Sequence, residues 1–317
     1  MRGLVEKFGE KLVNRALDIF EQKLDQGTED DQCVGVCKVM YNMASASSHR
    51  LLVTISPRII SIMEMHLASE VDIIREWTVQ VFTTMLKRVP DKNYTEPLLK
   101  RIILDRLRMN HLEGKSDDSE RLIWSLKLLL NHTKELKLQD KLLKLCEIVN
   151  RETPFSIAQA QVLKAIAPTI AKFVYHKRLY TGVMYALEEE LNAETIDNKD
   201  RIQHVLMAYA ELMSQIPKDD VAPLSETLTK FASDCRDNDR PEFYVDFIGH
   251  FCANTRCDIE VDSISYLENV MRYMNNSEKG LIEKVISAMN AIINKVSKET
   301  QFAFVPVIRQ AVEAVCT

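Results

Sequence analysis

The stretch DIIREWTVQVFTTMLKR, residues 72–88, decides the fold. Its apolar residues recur every four positions, which is the spacing of one face of an α-helix: Ile73, Trp77, Val81 and Met85. Asp72 opens the stretch, and a basic residue, Arg75, follows three positions later. The pattern therefore predicts an amphipathic helix that starts at an acidic N-cap and buries one side.

The same opening pattern, an Asp or Asn followed three positions later by Arg or Lys, recurs along the chain. It occurs at Asp72–Arg75, Asp118–Arg121, Asn198–Arg201, Asp237–Arg240 and Asn276–Lys279. An Asp or Asn at the N-cap accepts hydrogen bonds from free backbone N–H groups, which stabilises a helix by about 1 kcal/mol. We expect each basic residue to reach the Asp of the adjacent unit. The predicted structural ladder comprises Asp72, Arg75, Asp118, Arg121, Asp237 and Arg240.

Amphipathic helical stretches begin roughly every 40 residues, and a second helix follows each after a short polar turn. This period predicts an all-α fold, a right-handed α-solenoid of about seven HEAT-like helical hairpins plus one extra helix. We expect a single array over residues 1–317, and we expect it to be a fragment of a longer solenoid. The hairpins are expected at 10–46, 50–89, 94–134, 138–175, 177–216, 220–255 and 261–297, with the extra helix at 300–316.

Composition favours a helical protein of a reducing compartment. The 317 residues include only 8 glycines and 9 prolines, and the net charge of -5 gives no global attraction for nucleic acid. Seven cysteines are an odd number without close pairing, which indicates a cytosolic or nuclear setting. The first ten residues lack the apolar core of a signal peptide, and we identify no stretch of about 20 apolar residues. We therefore expect a cytoplasmic protein that does not contact a membrane.

The sequence lacks the motifs of common catalytic sites. It contains no Gly-rich phosphate loop, no His-Glu-x-x-His helix and no Gly-x-Ser-x-Gly elbow. Cys33-x-x-x-Cys37, and Cys252 and Cys257 near His250, each lack further ligands at zinc spacing. We expect no enzyme activity, no cofactor, no metal and no small-molecule substrate. The cysteines are interpreted as core residues, as are two aromatic residues on the apolar stripes of second helices: Trp77 and Trp124.

A basic segment in the third hairpin is a candidate phosphate or ribosome contact. The residues concerned are Lys100, Arg101, Arg106 and Arg108. Aromatic residues do not alternate with these charges along the sequence, as stacking platforms for bases would require. A sequence-specific reading of nucleic acid is therefore not expected at this segment.

Three stretches of the first hairpins resemble the Gcn-one family of translational activators: Gly3–Leu12, Phe20–Leu24 and Gly35–Cys37. The similarity continues through Ser56–Val89, where Val71–Glu76 resembles the family's repeat turn, and returns at Ala288–Ile292. Two positions depart from the family pattern. Cys33 and Val34 stand where the family has an Arg-Gln pair, and Asp18 stands where it has a helix proline.

The resemblance implies a HEAT-repeat segment that follows the elongation-factor-three-like region of the activator. It implies a scaffold that binds the RWD domain of the amino-acid-starvation kinase of initiation factor two, on or near the ribosome. A basic residue of the family that holds the RWD domain corresponds to Arg240, which is also a predicted ladder residue. Two other HEAT scaffolds are alternatives, a karyopherin-like carrier and a phosphatase regulatory subunit.

Overall fold

The structure, a computed structural model, describes residues 2–25, 30–147, 156–170, 199–215, 241–255, 258–274 and 279–316. Every regular element in these ranges is helical, which confirms the predicted all-α class. The chain divides into two compact units, Met1–Ile148 (unit 1) and Val149–Thr317 (unit 2).

Unit 1 is built from alternating first and second helices. The first helices are α1 (Arg2–Asp25), α3 (His49–Met63), α5 (Lys92–Leu99) with its continuation α6 (Arg106–Leu112), and α8 (Leu138–Glu147). The second helices are α2 (Asp30–Ala46), α4 (Asp72–Arg88) and α7 (Ser116–His132). Short 3₁₀ turns at Glu64–Ala68 and Lys134–Leu136 follow α3 and α7. In the row of second helices, α4 packs between α2 and α7.

The helix that carries the basic segment contains a π-helical turn. This turn, Lys100–Asp105, joins α5 to α6 without a break. Pro97 lies inside α5 and has no backbone N–H to donate, and such local losses of helical hydrogen bonding accompany π-bulges. The turn changes which side chains face solvent, because each π turn shifts the helical register.

A kink at Gly9 divides α1. The residue has φ 61° and ψ -164°, a conformation that is open to glycine because it has no Cβ. The helix therefore starts at Arg2 and restarts in a new direction after Gly9, which is the position where the first hairpin was expected to begin.

The segment His49–Ala68 qualifies by length and composition as a helix that could cross a membrane, contrary to our reading of the sequence. It comprises α3 and the following 3₁₀ turn. Half of its most apolar part is buried inside unit 1, including Leu52, Ile55 and Ile59. A buried core helix meets the same criterion, and its apolar character is accounted for by this packing.

Unit 2 contains α9 (Ile157–Ile170), α10 (Lys199–Ser214), α11 (Pro241–Asn254), α12 (Ser263–Met271), α13 (Lys279–Lys295) and α14 (Lys298–Cys316). Helices α9, α10, α11 and α13 form a row in which each packs on the next, and α12 packs against both α13 and α14. The centre of the row is aromatic. The Tyr209 and Phe247 rings lie 5.6 Å apart, and Phe251 stacks on Phe247 at 6.2 Å.

The second helices of both units recur at a regular interval of about 40 residues. They begin at Asp30, Asp72, Ser116, Ile157, Lys199, Pro241 and Lys279. Each packs against neighbouring second helices of its own unit, which is how a helical-repeat array forms its core. The protein is therefore an α-solenoid of HEAT-like repeats, as the sequence predicted.

Candidate partner-binding surfaces

Arg75 fixes the turn that opens α4. Its guanidinium donates to the backbone oxygens of Ser69 and Glu70 at 2.5 and 3.2 Å, and to Asp72 Oδ1 at 2.5 Å. Asp72 is the first residue of the helix, and Val71 occupies the N-cap without a side-chain cap bond. The expected N-cap role of Asp72 is therefore wrong. Its carboxylate holds Arg75 of its own unit instead.

Arg121 makes the contact between repeats, but with a different acid from the one predicted. It donates to Asp118 Oδ1 at 2.8 Å within its own helix and to Glu70 Oε1 of the preceding repeat at 3.4 Å. Asp118 is the third residue of α7, after Lys115 at the N-cap, so its expected N-cap role is also wrong. The ladder thus passes from Arg121 to Glu70 rather than to Asp72, because Asp72 lies inside the helix and is bound by Arg75.

Two further members of the predicted site set, Asp237 and Arg240, lie outside the described residues. Arg240 precedes Pro241, the first residue of α11. The interpretation of Arg240 as a partner contact, and of both residues as a ladder rung, stays a prediction.

The basic segment is partly neutralised by the protein's own carboxylates. Arg101 binds Glu64 through two hydrogen bonds, of 2.8 and 3.3 Å, and Arg108 lies 3.5 Å from Asp105. Lys100 is exposed and makes no ion pair in the described part of the chain. Arg106 is half-buried, and its Nε is buried without a hydrogen-bond partner. Of the four residues, Lys100 is therefore the best placed to meet a phosphate, whereas Arg106 also lies close enough to Glu113 to lower the pKa of that carboxyl.

The buried cysteines are poorly suited to nucleophilic chemistry. Burial raises the pKa of the Cys37 thiol to about 11 and that of Cys252 to about 12, and it also raises the pKa of Cys146. A thiol must be ionised to attack an electrophile or to bind zinc. Among the described residues, no group of three or more His, Cys, Asp or Glu side chains could hold a metal ion. Cys257, one of the residues weighed as a ligand, lies outside them.

The indole of Trp77 is half-buried between α2 and α4. Its ring meets Tyr41 edge-on at 5.7 Å, and the Lys38 ammonium lies over it at 5.4 Å. A cation over an indole is attracted by the negative face of the ring. Trp77 is thus only partly a core residue.

Trp124 is 38% exposed, so its assignment to the core is wrong. The Arg75 guanidinium lies 4.7 Å from the ring centroid and covers one side of the indole. The sequence does contain a signal for this exposure, because Glu120 and Lys127 flank Trp124 at helical spacing on the same side of α7. The apolar stripe of α7 alone predicted burial.

A polar network that the sequence did not predict joins three helices of unit 2. Asp246 Oδ2 on α11 accepts from Gln203 Nε2 on α10 and from Lys284 Nζ on α13, both at 2.6 Å. One turn further along α11, His250 Nε2 lies 2.7 Å from Glu211 Oε2 on α10. The His250 ring is therefore already bound by a side chain of the neighbouring helix α10. Together these contacts hold the three helices in place.

These rows of helices, joined by side-chain contacts between neighbouring repeats, define a HEAT-repeat protein of the scaffold class. A family model described as stalled ribosome sensor GCN1-like, HEAT repeats, matches residues 148–317. The chain belongs to this family. The match confirms the resemblance seen in the sequence, although most of the motifs that carried it lie before residue 148. No curated protein matches the chain.

Proposed function

We propose that this chain is a non-catalytic scaffold of translational control that docks the RWD domain of the starvation-responsive kinase of initiation factor two. The observation that carries the proposal is membership of the stalled ribosome sensor family over unit 2. A solenoid suits this role because its stacked repeats offer long surfaces to partners. We place the protein in the cytoplasm, where ribosomes and the kinase meet, and in the response to amino-acid starvation.

Arg240 is the proposed RWD contact. An arginine can bind a carboxylate of a partner through two parallel hydrogen bonds, which lysine cannot reproduce. The test is titration of the purified chain with the isolated RWD domain, followed by calorimetry. We expect saturable binding, a loss of at least about tenfold in affinity for Arg240→Ala, and little recovery with Arg240→Lys.

The control for that titration is Arg309→Ala. Arg309 lies on α14 in the same unit, is 78% exposed in its side chain and, within the described part of the chain, pairs with Glu313 of its own helix. Circular dichroism should show equal helicity for all variants. Absence of RWD binding by the parent chain would reject the docking role, and equal losses for Arg240→Ala and Arg309→Ala would reject the assigned residue.

Ribosome contact is the second part of the proposal. Lys100 supports it, because this lysine is exposed and makes no ion pair within the described residues. Co-sedimentation with purified ribosomes should weaken for Lys100→Glu and as salt rises, since phosphate contacts release bound counterions. The matched control is Arg101→Gln, whose guanidinium is already bound by Glu64. If ribosome binding changes neither with the salt concentration nor in Lys100→Glu, the ribosome contact lies elsewhere.

A further inference from the structure

The second helices of unit 1 run parallel and nearly in register. Three contacts establish this arrangement, one near the starts of neighbouring helices, one at their middles and one at their ends. They are Arg121 to Glu70 at 3.4 Å, Cys37 to Thr78 at 3.9 Å and Lys87 to Glu135 at 2.9 Å. Side chains at equivalent positions of α2, α4 and α7 therefore lie side by side across the row.

An aromatic face crosses this row on its solvent side. It consists of Tyr41 on α2, Ile73 and Trp77 on α4, and Trp124 on α7. Ile73 is 44% exposed and Trp124 38% exposed, although both lie on the apolar stripes of their helices. Lys38 and Arg75 stand against the two indoles, and since Arg75 is itself buried, the aromatic residues of the face are Tyr and Trp. These are the residue types that dominate the binding energy of protein interfaces.

Charges of opposite sign border the aromatic face. Exposed acids lie at the starts of the three helices, in an acidic edge formed by Asp30, Asp31, Asp72, Glu76, Asp117 and Glu120. Exposed lysines lie towards and just after the ends of α4 and α7, in a basic edge formed by Lys87, Lys127, Lys134 and Lys137, where Glu135 is an exposed acid. This separation follows the helix dipoles, which favour anions at N-termini and cations at C-termini. Some of these charges are paired, as Asp72 is with Arg75 and Lys87 with Glu135.

The acidic edge and the basic edge together indicate which class of ligand the aromatic face can bind. A nucleic-acid backbone needs a basic surface along its whole path, and the acidic edge opposes it. A protein helix can carry acids on one flank and bases on the other, with apolar residues between them. We propose that the aromatic face binds an amphipathic helix of a partner protein. That helix lies across the row, with its acidic flank towards the basic edge and its basic flank towards the acidic edge.

The spacing of the rings sets the pattern of the partner helix. Packed helices lie about 8–10 Å apart, so the axes of the two neighbouring helices that carry Trp77 and Trp124 are separated by about that distance. A helix rises about 1.5 Å per residue, so two apolar anchors seven positions apart match the two indoles. This surface is in unit 1 and does not depend on RWD docking at Arg240.

The test uses a defined peptide rather than an unidentified partner. The probe is a fluorescein-labelled, tryptophan-free helical peptide of about 18 residues, with leucine anchors seven positions apart, Glu on one flank and Lys on the other. The comparison peptide has the same composition and anchors, but Glu and Lys alternate on both flanks. Because the chain has only two tryptophans, both on the aromatic face, binding must also change its intrinsic fluorescence.

We expect saturable anisotropy changes with the patterned peptide and at least about fivefold weaker binding of the alternating one. Trp124→Ala should weaken binding by at least about tenfold, and Lys127→Glu by about fivefold. Lys144→Glu should leave it unchanged, because this exposed lysine lies on α8, a first helix of the same unit. Circular dichroism establishes that each variant is folded.

Three results would overturn the proposal. The first is the absence of saturable binding by the parent chain. The second is equal affinity for the two peptides or no effect of Trp124→Ala. The third is quenching of the tryptophans by single-stranded oligouridylate instead, which would assign the rings to base stacking.

Discussion

Gly249 of α11 lies directly against Ala288 of α13. A Cβ added at position 249 would be 3.2 Å from both the Cα and the Cβ of Ala288. Since a real Cβ rarely comes so close to another atom, the two backbones approach as they do because residue 249 has no side chain. The closeness of these two helices sets the packing of the last part of the row in unit 2.

Replacing Gly249 with valine should force α11 and α13 apart. We expect a loss of about 1–3 kcal/mol in the free energy of unfolding of unit 2, as in other overpacked cores. Urea denaturation followed by circular dichroism would measure it. Gly35→Ala is the matched control, because that helical glycine has nothing within 4 Å of an added Cβ and alanine favours the helix by about 0.5–1 kcal/mol. An unchanged free energy of unfolding in Gly249→Val would contradict the close contact.

Removing the Asp246 carboxylate should weaken the packing of α11 against both α10 and α13. Its side chain is 13% exposed and accepts from both Gln203 and Lys284, so Asp246→Ala leaves two donors without their acceptor. We expect a loss of about 1–3 kcal/mol. A double-mutant cycle with Lys284→Ala should show coupling. The exposed Arg309–Glu313 pair serves as the reference cycle, and we expect about 0.5 kcal/mol or less there.

Arg75→Lys should destabilise the start of α4, although it preserves the charge. Lysine cannot donate to two carbonyls and a carboxylate in the fork geometry that the Arg75 guanidinium uses. We expect a loss of about 1–3 kcal/mol and a change in tryptophan emission, because Arg75 covers one side of Trp124. Arg121→Lys, at a more exposed arginine, should cost less. Unchanged emission in Arg75→Lys would argue against the stacking.

Cys33 and Cys37 lie one helical turn apart and should differ in their rates of alkylation. Burial raises the pKa of Cys37 to about 11, and it also raises the pKa of the less buried Cys33, with a contribution from Asp30. At a pH of about 8 the thiolate fraction of Cys37 is very small, so iodoacetamide should label Cys33 first. Raising the pH to about 10 should increase both rates, because ionisation rises with pH below each pKa. Peptide mass spectrometry measures the order, and faster labelling of Cys37 would refute it.

The repeat and its helical class could be predicted because they depend on local patterns. The stripe from Ile73 to Met85 is a property of one helix, and its recurrence about every 40 residues is visible along the chain. The pairing of Arg75 with Asp72 also lies within one turn of sequence, although the Asp of the adjacent unit was the partner expected. The error at Asp72 concerned a single position, the N-cap, and helix boundaries are the least certain part of any pattern.

The contacts between repeats could not be predicted in the same way. Glu70 and Arg121 are 51 positions apart, and nothing in either local pattern shows that they meet. The same holds for Lys38 and Trp77. They lie on different helices, α2 and α4, and only the packing of these helices brings the ammonium over the indole. The exposure of Trp124 depends on which side of α7 the neighbouring helices leave uncovered, and that is a property of the packed row.

The row of α9, α10, α11 and α13 also has a mechanical consequence. Because, among the helices that the structure describes, each member of the row packs on the next, a pull on the two ends of the row would load these contacts in series. Each joint would carry the same tension, so the row would yield first at its weakest junction. The contacts of α11 with α10 and α13 are strengthened by the hydrogen bonds of Asp246 and by the close approach of Gly249 to Ala288. Extension would therefore begin at the contact between α9 and α10. Unit 2 would then lengthen in steps while its aromatic centre stayed intact.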